Sequence, residues 1–174
     1  MDMKRVITAA VLILFCFILQ CTFFRAIDFG GIVPNLLIIL TSSFGFMRGE
    51  KTGLIIGFVC GLLSDIFFGE VLGFLALILM YIGYMNGKFS RIFYPEDIKL
   101  PAALIIASDF FYGLICYVLM FLMRGRLQFS YYFMSVILPE IVYTAVITII
   151  LYPVILMINK WLEAGEKRSA RKFV

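Results

Sequence analysis

Residues 45–73 read GFMRGEKTGLIIGFVCGLLSDIFFGEVLG. Glycine holds every fourth place at Gly45, Gly49, Gly53, Gly57 and Gly61; Asp65 takes the next, and Gly69 and Gly73 continue the count. Four residues turn an α-helix through about 400°, so each step drifts about 40° and the row forms an oblique ridge. Gly45 and Gly49 close one apolar run and its turn, and Gly69 and Gly73 flank the next turn. That leaves Gly53, Gly57 and Gly61 as a side-chain-free groove. In a membrane such a groove lets another helix backbone come very close; the expected occupant is the helix of a partner, with the chain's own fourth helix as the alternative. Asp65 tops the groove and must be held by protein or water, because lipid does not solvate a carboxylate.

The rest of the chain has the same character. Of 174 residues, 63% are apolar, 17% aromatic and only 15% charged, and the mean hydropathy is +1.06. Soluble domains carry about a quarter charged residues. No polar stretch is long enough for a separate soluble domain, so the reading is one polytopic transmembrane domain over residues 1–174. Lys4 and Arg5 precede an apolar run from Val6 to Leu19. Gln20-Cys21-Thr22-Phe23-Phe24 after it is too bulky for a signal cleavage site, which makes this run an expected first span. Cys16, Cys21, Cys60 and Cys116 all lie in apolar stretches with no CxxC spacing, as small packing residues do.

Apolar runs of near-spanning length place six helices at about 5–24, 31–47, 52–69, 71–87, 100–123 and 132–158. The second is short, and Pro34 near its start suits a first helical turn, which needs no N–H donor. With both termini cytoplasmic, 12 of the 15 basic residues fall inside, in accord with the positive-inside rule. A five-span arrangement with the N-terminus outside places 11 of the 15 inside, so charge alone barely separates the two; Lys4 and Arg5 directly before the first span favour six. Arg48, Glu50 and Lys51 form a compact charged inner turn. Tyr131, Tyr132 and Phe133 at one edge and Trp161 at the other fit aromatic belts. The loop from Lys88 to Lys99 mixes aromatics with both charge signs, and the basic tail from Glu163 reads as an anchor to anionic headgroups.

Three acids fall inside spans: Asp65, Asp109 and Glu140. Each costs roughly 2.5–3.5 kcal/mol or more as an ion facing lipid, so each is expected to face the bundle interior, water or a partner. Asn35, Asp65 and Glu140 share one depth, with Arg124 and Arg126 just beyond it, and Asp109 lies nearer mid-membrane. An outward-opening polar cluster is one reading; buried hydrogen bonds joining helices are the other. Pro139 breaks the helical ladder around Ser135, and Pro153 falls inside the same helix.

Pro34-Asn35-Leu36-Leu37, Arg48-Gly49-Glu50-Lys51-Thr52-Gly53, Gly57 and Gly61-Leu62-Leu63-Ser64-Asp65 occur in an order that resembles a known family. Gly69, Gly73, the stretch 81–87 and Pro139-Glu140 continue the likeness. The chain is similar to the bacterial rod shape-determining membrane protein MreD family, most closely over residues 34–87. That resemblance implies a compact six-helix bundle with the span pattern of the substrate-binding subunits of energy-coupling-factor vitamin transporters. It also implies a non-enzymatic role: joining an MreC-type membrane partner, an MreB-type filament, and a wall synthase with its transpeptidase, to place lateral peptidoglycan synthesis.

Two other functions compete with a scaffold. A small-solute binding subunit would use the cluster of Asn35, Asp65 and Glu140, yet there are few placed polar groups to grip a ligand. An intramembrane enzyme would need a nucleophile with a base. Ser108, Asp109 and Tyr112 are near in sequence and Ser64 adjoins Asp65, but the chain has no histidine and no serine–lysine pair at one depth. The absence of histidine also removes the commonest metal ligand, so neither metal nor cofactor is expected. The net charge of +4 follows from the inner-side bias and gives no nucleic-acid signal.

Overall fold

The computed structural model describes residues 3–27, 31–69, 71–90, 99–124 and 129–170. Its regular elements are helical: α1 (Met3–Leu19), α2 (Leu36–Arg48), α3 (Glu50–Phe68), α4 (Phe74–Phe89), α5 (Lys99–Arg124), the short α6 (Phe129–Tyr132) and α7 (Leu138–Ala170). A π-helical turn, Gln20–Phe24, prolongs α1, and another, Phe133–Ile137, joins α6 to α7. The described residues therefore make six rods.

Four of these are long and apolar enough to cross a membrane, over Arg5–Phe24, Glu50–Phe68, Lys99–Leu119 and Ser130–Ala164; α2 and α4 are apolar but shorter. The 13 residues of α2 reach about 20 Å, short of the roughly 30 Å hydrocarbon layer. Burial explains how so short a helix survives. Every α2 residue from Leu36 to Phe46 is buried, and α2 touches α1, α3, α4, α5 and α7. Non-helical backbone at membrane depth is tolerated where protein surrounds it, so the lead-in before Leu36 can complete the crossing. That lead-in also corrects the place of Pro34. The helix starts at Leu36 behind its cap Asn35, so Pro34 precedes the first turn instead of sitting in it.

Two polar contacts supply the buried start of α2 with acceptors. The Leu36 N–H donates to Gln20 Oε1 at 3.0 Å, and the Asn35 N–H donates to Thr144 Oγ1 at 3.2 Å. Gln20 stands at the far end of α1, whereas Arg5 near its beginning shares a recess with Arg48 at the end of α2. The two helices are therefore antiparallel neighbours. Along the helices large apolar residues face out, among them Ile7, Val11, Leu14 and Phe15 on α1 and Val142, Val146, Ile149 and Ile150 on α7, as a lipid-facing shell requires. Tyr131 and Trp161, at opposite ends of the last rod, are both well exposed.

The π turn containing Ser135 falls just before Pro139. Pro139 has no N–H, and the ladder widens there, with Leu138 N–H bonding to the Phe133 carbonyl. This is the local break expected from Pro139. Pro153, by contrast, is absorbed inside α7, which continues through the basic stretch after Glu163 as helix to Ala170. The mixed loop's Phe93 to Asp97, together with Arg126, lies outside the described residues.

Candidate functional site

The glycine ridge meets the chain's own α4. A Cβ on Gly53 would overlap the Gly83 carbonyl oxygen, one on Gly57 the Leu79 carbonyl oxygen, and one on Gly61 the Ala76 Cα. The relation is mutual, since a Cβ on Gly83 would strike the Gly53 carbonyl. Gly45 joins the contact as well, 2.6 Å from the Gly83 oxygen at its would-be Cβ. The expectation of a partner helix in this groove is therefore corrected. Residues 74–89 fill it, because the turn after α3 folds α4 straight back along the ridge. Gly49 and Gly73 do serve turns, with φ of 88° and 95°, a region that costs other residues a Cβ clash.

Asp65 holds that turn. It is 3% exposed, and its carboxylate accepts from the N–H groups of Gly73 at 3.0 Å, Leu75 at 3.0 Å and Ala76 at 2.9 Å. These are donors of the first turn of α4 and have no partner within their own helix. A carboxylate there also meets the positive end of the helix dipole. The acid at the end of the groove thus caps the helix lying in the groove.

Asn35 is engaged elsewhere. Its Oδ1 accepts from the Ile38 N–H at 3.3 Å, and its N–H reaches Thr144 on α7. Thr144 is also the polar neighbour of Asp109. Asp109 is 2% exposed, and among the described residues neither of its carboxylate oxygens has a hydrogen-bonding partner. The Glu140 carboxylate is close enough for the two charges to act on each other, and both act on Tyr112. The four polar residues singled out from the sequence therefore divide. Asp65 ties α3 to α4, while Asn35, Asp109 and Glu140 gather around Thr144 where α2, α5 and α7 meet.

Two further polar contacts had no sequence signal beyond an isolated amide in an apolar run. Asn86 Nδ2 donates to Ser108 Oγ at 2.7 Å and to Ser42 Oγ at 3.3 Å, joining α4, α5 and α2. Of the charged turn, Arg48 is the member with a described long-range bond. Its Nε donates to Asn159 Oδ1 on α7, Asn159 Nδ2 donates to Glu163 at 3.0 Å, and the guanidinium lies over the Phe44 ring at 5.8 Å. Lys51 is exposed and Glu50 half-buried at the start of α3. All four cysteines are free thiols. Among the described residues no group of three or more Cys, Asp or Glu side chains is arranged to hold a metal ion.

A comparison of the whole sequence places the chain in a family. The family model described as rod shape-determining protein MreD matches residues 3–161. The chain belongs to the MreD family. Membership makes it an integral membrane protein of the rod-shape-determining system, in a family not known as one of enzymes. No curated protein and no solved structure matches the chain.

Proposed function

We propose that this MreD-family chain is a non-enzymatic scaffold subunit of the cell-elongation machinery. It sits in the cytoplasmic membrane with both termini cytoplasmic and engages an MreC-type membrane partner. Through that partner it is linked to an MreB-type filament and to the wall synthase and transpeptidase. The observation that carries this reading is the family match over residues 3–161. The packing supports it. The strongest motif in the sequence, the glycine ridge with Asp65, is spent on joining α3 to α4 and so on rigidity. Depleting the chain in its rod-shaped host tests the proposal. Cells should lose their constant width, and an MreC-type protein should copurify with the chain from undepleted membranes. Unchanged width on depletion would refute it.

One observation favours a second reading, a small-solute binding subunit with the architecture of an energy-coupling-factor transporter's substrate-binding subunit. Asp109 is buried with no hydrogen-bonding partner among the described residues, near Glu140, Tyr112 and Thr144. Binding pockets place a few polar groups in apolar surroundings in this way. Mass spectrometry of gently purified protein distinguishes the readings, since a solute carrier retains a small polar molecule there and a scaffold does not.

A further inference from the structure

Glu140 stands at a step in the bundle. Helix α2 begins behind Asn35, whose N–H reaches Thr144 on α7. Glu140 lies one turn beyond Thr144, on the side to which α2 does not extend. Past that level the cover thins. Residues 114–119 on α5 and 130–136 on the last rod include no buried side chain, whereas α2 is buried from Leu36 to Phe46. The two rods still touch each other there, through the rings of Tyr117 and Tyr132 at 5.2 Å and of Phe110 and Phe133 at 6.4 Å. Their exposure is therefore on the flank that a third helix would cover.

Two carboxyls meet at this step. Asp109 is buried, and among the described residues neither of its oxygens has a hydrogen-bonding partner. Glu140 is half-buried, and the two charges act on each other. The helices that meet here bring no cation to this depth. Lys99 and Arg124, the basic residues of α5, stand at its two ends. Gly113 packs on Ile137, so Arg124 is about 16 Å further along α5 than the Ile137 level, and Glu140 lies on the other side of that level. The first basic residue of α7 is Lys160, about 30 Å along the helix from Glu140, and that of α2 is Arg48 at its far end. Lipid solvates neither carboxylate.

We propose that this flank of α5 and the last rod docks the membrane helix of a partner that carries a lysine or arginine at the depth of Glu140. The partner's cation pairs with the Glu140 carboxylate, and its apolar side chains cover the half-buried outer parts of the two rods. Charge selects this occupant. A second copy of the chain brings no cation there, because its basic residues flank the apolar runs. Lipid alone covers apolar side chains but leaves the acid unmet. Pairing takes two lone ions out of lipid at once, which makes the contact selective as well as adhesive. The proposal rests on the scaffold reading, and it adds the surface and the chemistry by which a membrane partner is held.

Fluorescence energy transfer in liposomes, between the labelled full chain and designed single-span leucine–alanine helices, tests the assignment. Three such helices differ at one position, set at the Glu140 depth, which is lysine, glutamine or leucine. The lysine helix should associate about tenfold more tightly than the leucine helix, and the glutamine helix at most about threefold more tightly. Glu140→Gln, checked for monodispersity and helix content, should bring the lysine helix down to the leucine level. Asp109→Asn keeps Glu140 and should keep the association. Equal association of the lysine and leucine helices with the parent chain would overturn the site, whether or not the variants fold. So would undiminished association with folded Glu140→Gln protein. A glutamine helix as tight as the lysine helix would overturn the ion pair, and loss of association in folded Asp109→Asn protein would overturn its assignment to Glu140. The liposomes hold no elongation protein, so failure here is distinct from failure of the scaffold reading, which the cell-width test decides.

Discussion

Asp65 and Ala76 join α3 to α4 by one hydrogen bond, from the Ala76 N–H to Asp65 Oδ2 at 2.9 Å. The same carboxylate accepts from Gly73 and Leu75, so one side chain ends one helix and starts the next. Asp65→Ala leaves three donors unmet, that of Ala76 buried and those of Gly73 and Leu75 partly buried, and should cost about 2–4 kcal/mol. Asp65→Asn keeps one acceptor oxygen and should cost roughly half as much. Reversible unfolding by SDS in bicelles measures both, and equal losses for the two variants would contradict the capping role.

Helix propensity and packing make opposite forecasts at Gly57. Alanine is favoured over glycine by about 1 kcal/mol in a helix. Here the added Cβ meets the Leu79 carbonyl, which is backbone and cannot rotate away, and overpacking costs about 1–3 kcal/mol. Packing should win, so Gly57→Ala lowers stability by about 2 kcal/mol and Gly57→Leu yields no monodisperse protein in detergent. Partner binding should then disappear only together with the folded chain. A stable Gly57→Leu protein that has lost only its partner would restore an intermolecular groove.

Asn86 bonds to Ser108 across α4 and α5 with both groups buried. Asn86→Ala should destabilise the protein by about 1–2 kcal/mol. In a double-mutant cycle with Ser108→Ala, the two changes should couple by at least about 0.5 kcal/mol, since they remove one shared bond. Additive losses would show that the bond contributes nothing.

Asp109→Asn replaces a buried carboxylate that has no hydrogen-bonding partner among the described residues and lies near Glu140. An amide is less costly than an ion in such a place, so this variant should be at least as stable as the parent chain. Under the scaffold reading it should also support normal cell width when it replaces the parent. A stable Asp109→Asn protein that leaves cells round would move the function to the buried polar group around Asp109.

The direction of the chain in the bilayer can be read with a fusion. Alkaline phosphatase placed after Gly69, at the Asp65 end of the α3–α4 turn, should be active, because that end faces away from the cytoplasm in the proposed orientation. An inactive but full-length fusion would invert the topology.

The spans were readable because an apolar run is a local property. The expected spans at 5–24, 52–69 and 100–123 fall within a few residues of α1 with its π turn, α3 and α5. The break before Pro139 was readable for the same reason. Less visible was the shortness of α2, since a helix sheathed by five others need not meet the thickness of the bilayer on its own. Asp65 stood out as an acid among apolar residues, but its partners did not. They are backbone N–H groups, which every residue but proline carries. The polar roles of Gln20, Thr144, Asn86 and Asn159 leave no mark in the sequence, because one amide or hydroxyl in an apolar helix has no distinguishing local pattern.

Composition and periodicity alone established an all-helical membrane chain, a glycine ridge ending in a carboxylate and a basic end, because each depends only on neighbours in sequence. The folded structure decided what lies against what. Asn35 finds Thr144 across 109 positions and Arg48 finds Asn159 across 111. Such pairs form only once the helices have packed, and no local spacing encodes the packing order. The same holds for the ridge. Its close approach follows from missing side chains, but only the reversal of the chain at Gly73 determines that α4 takes the place.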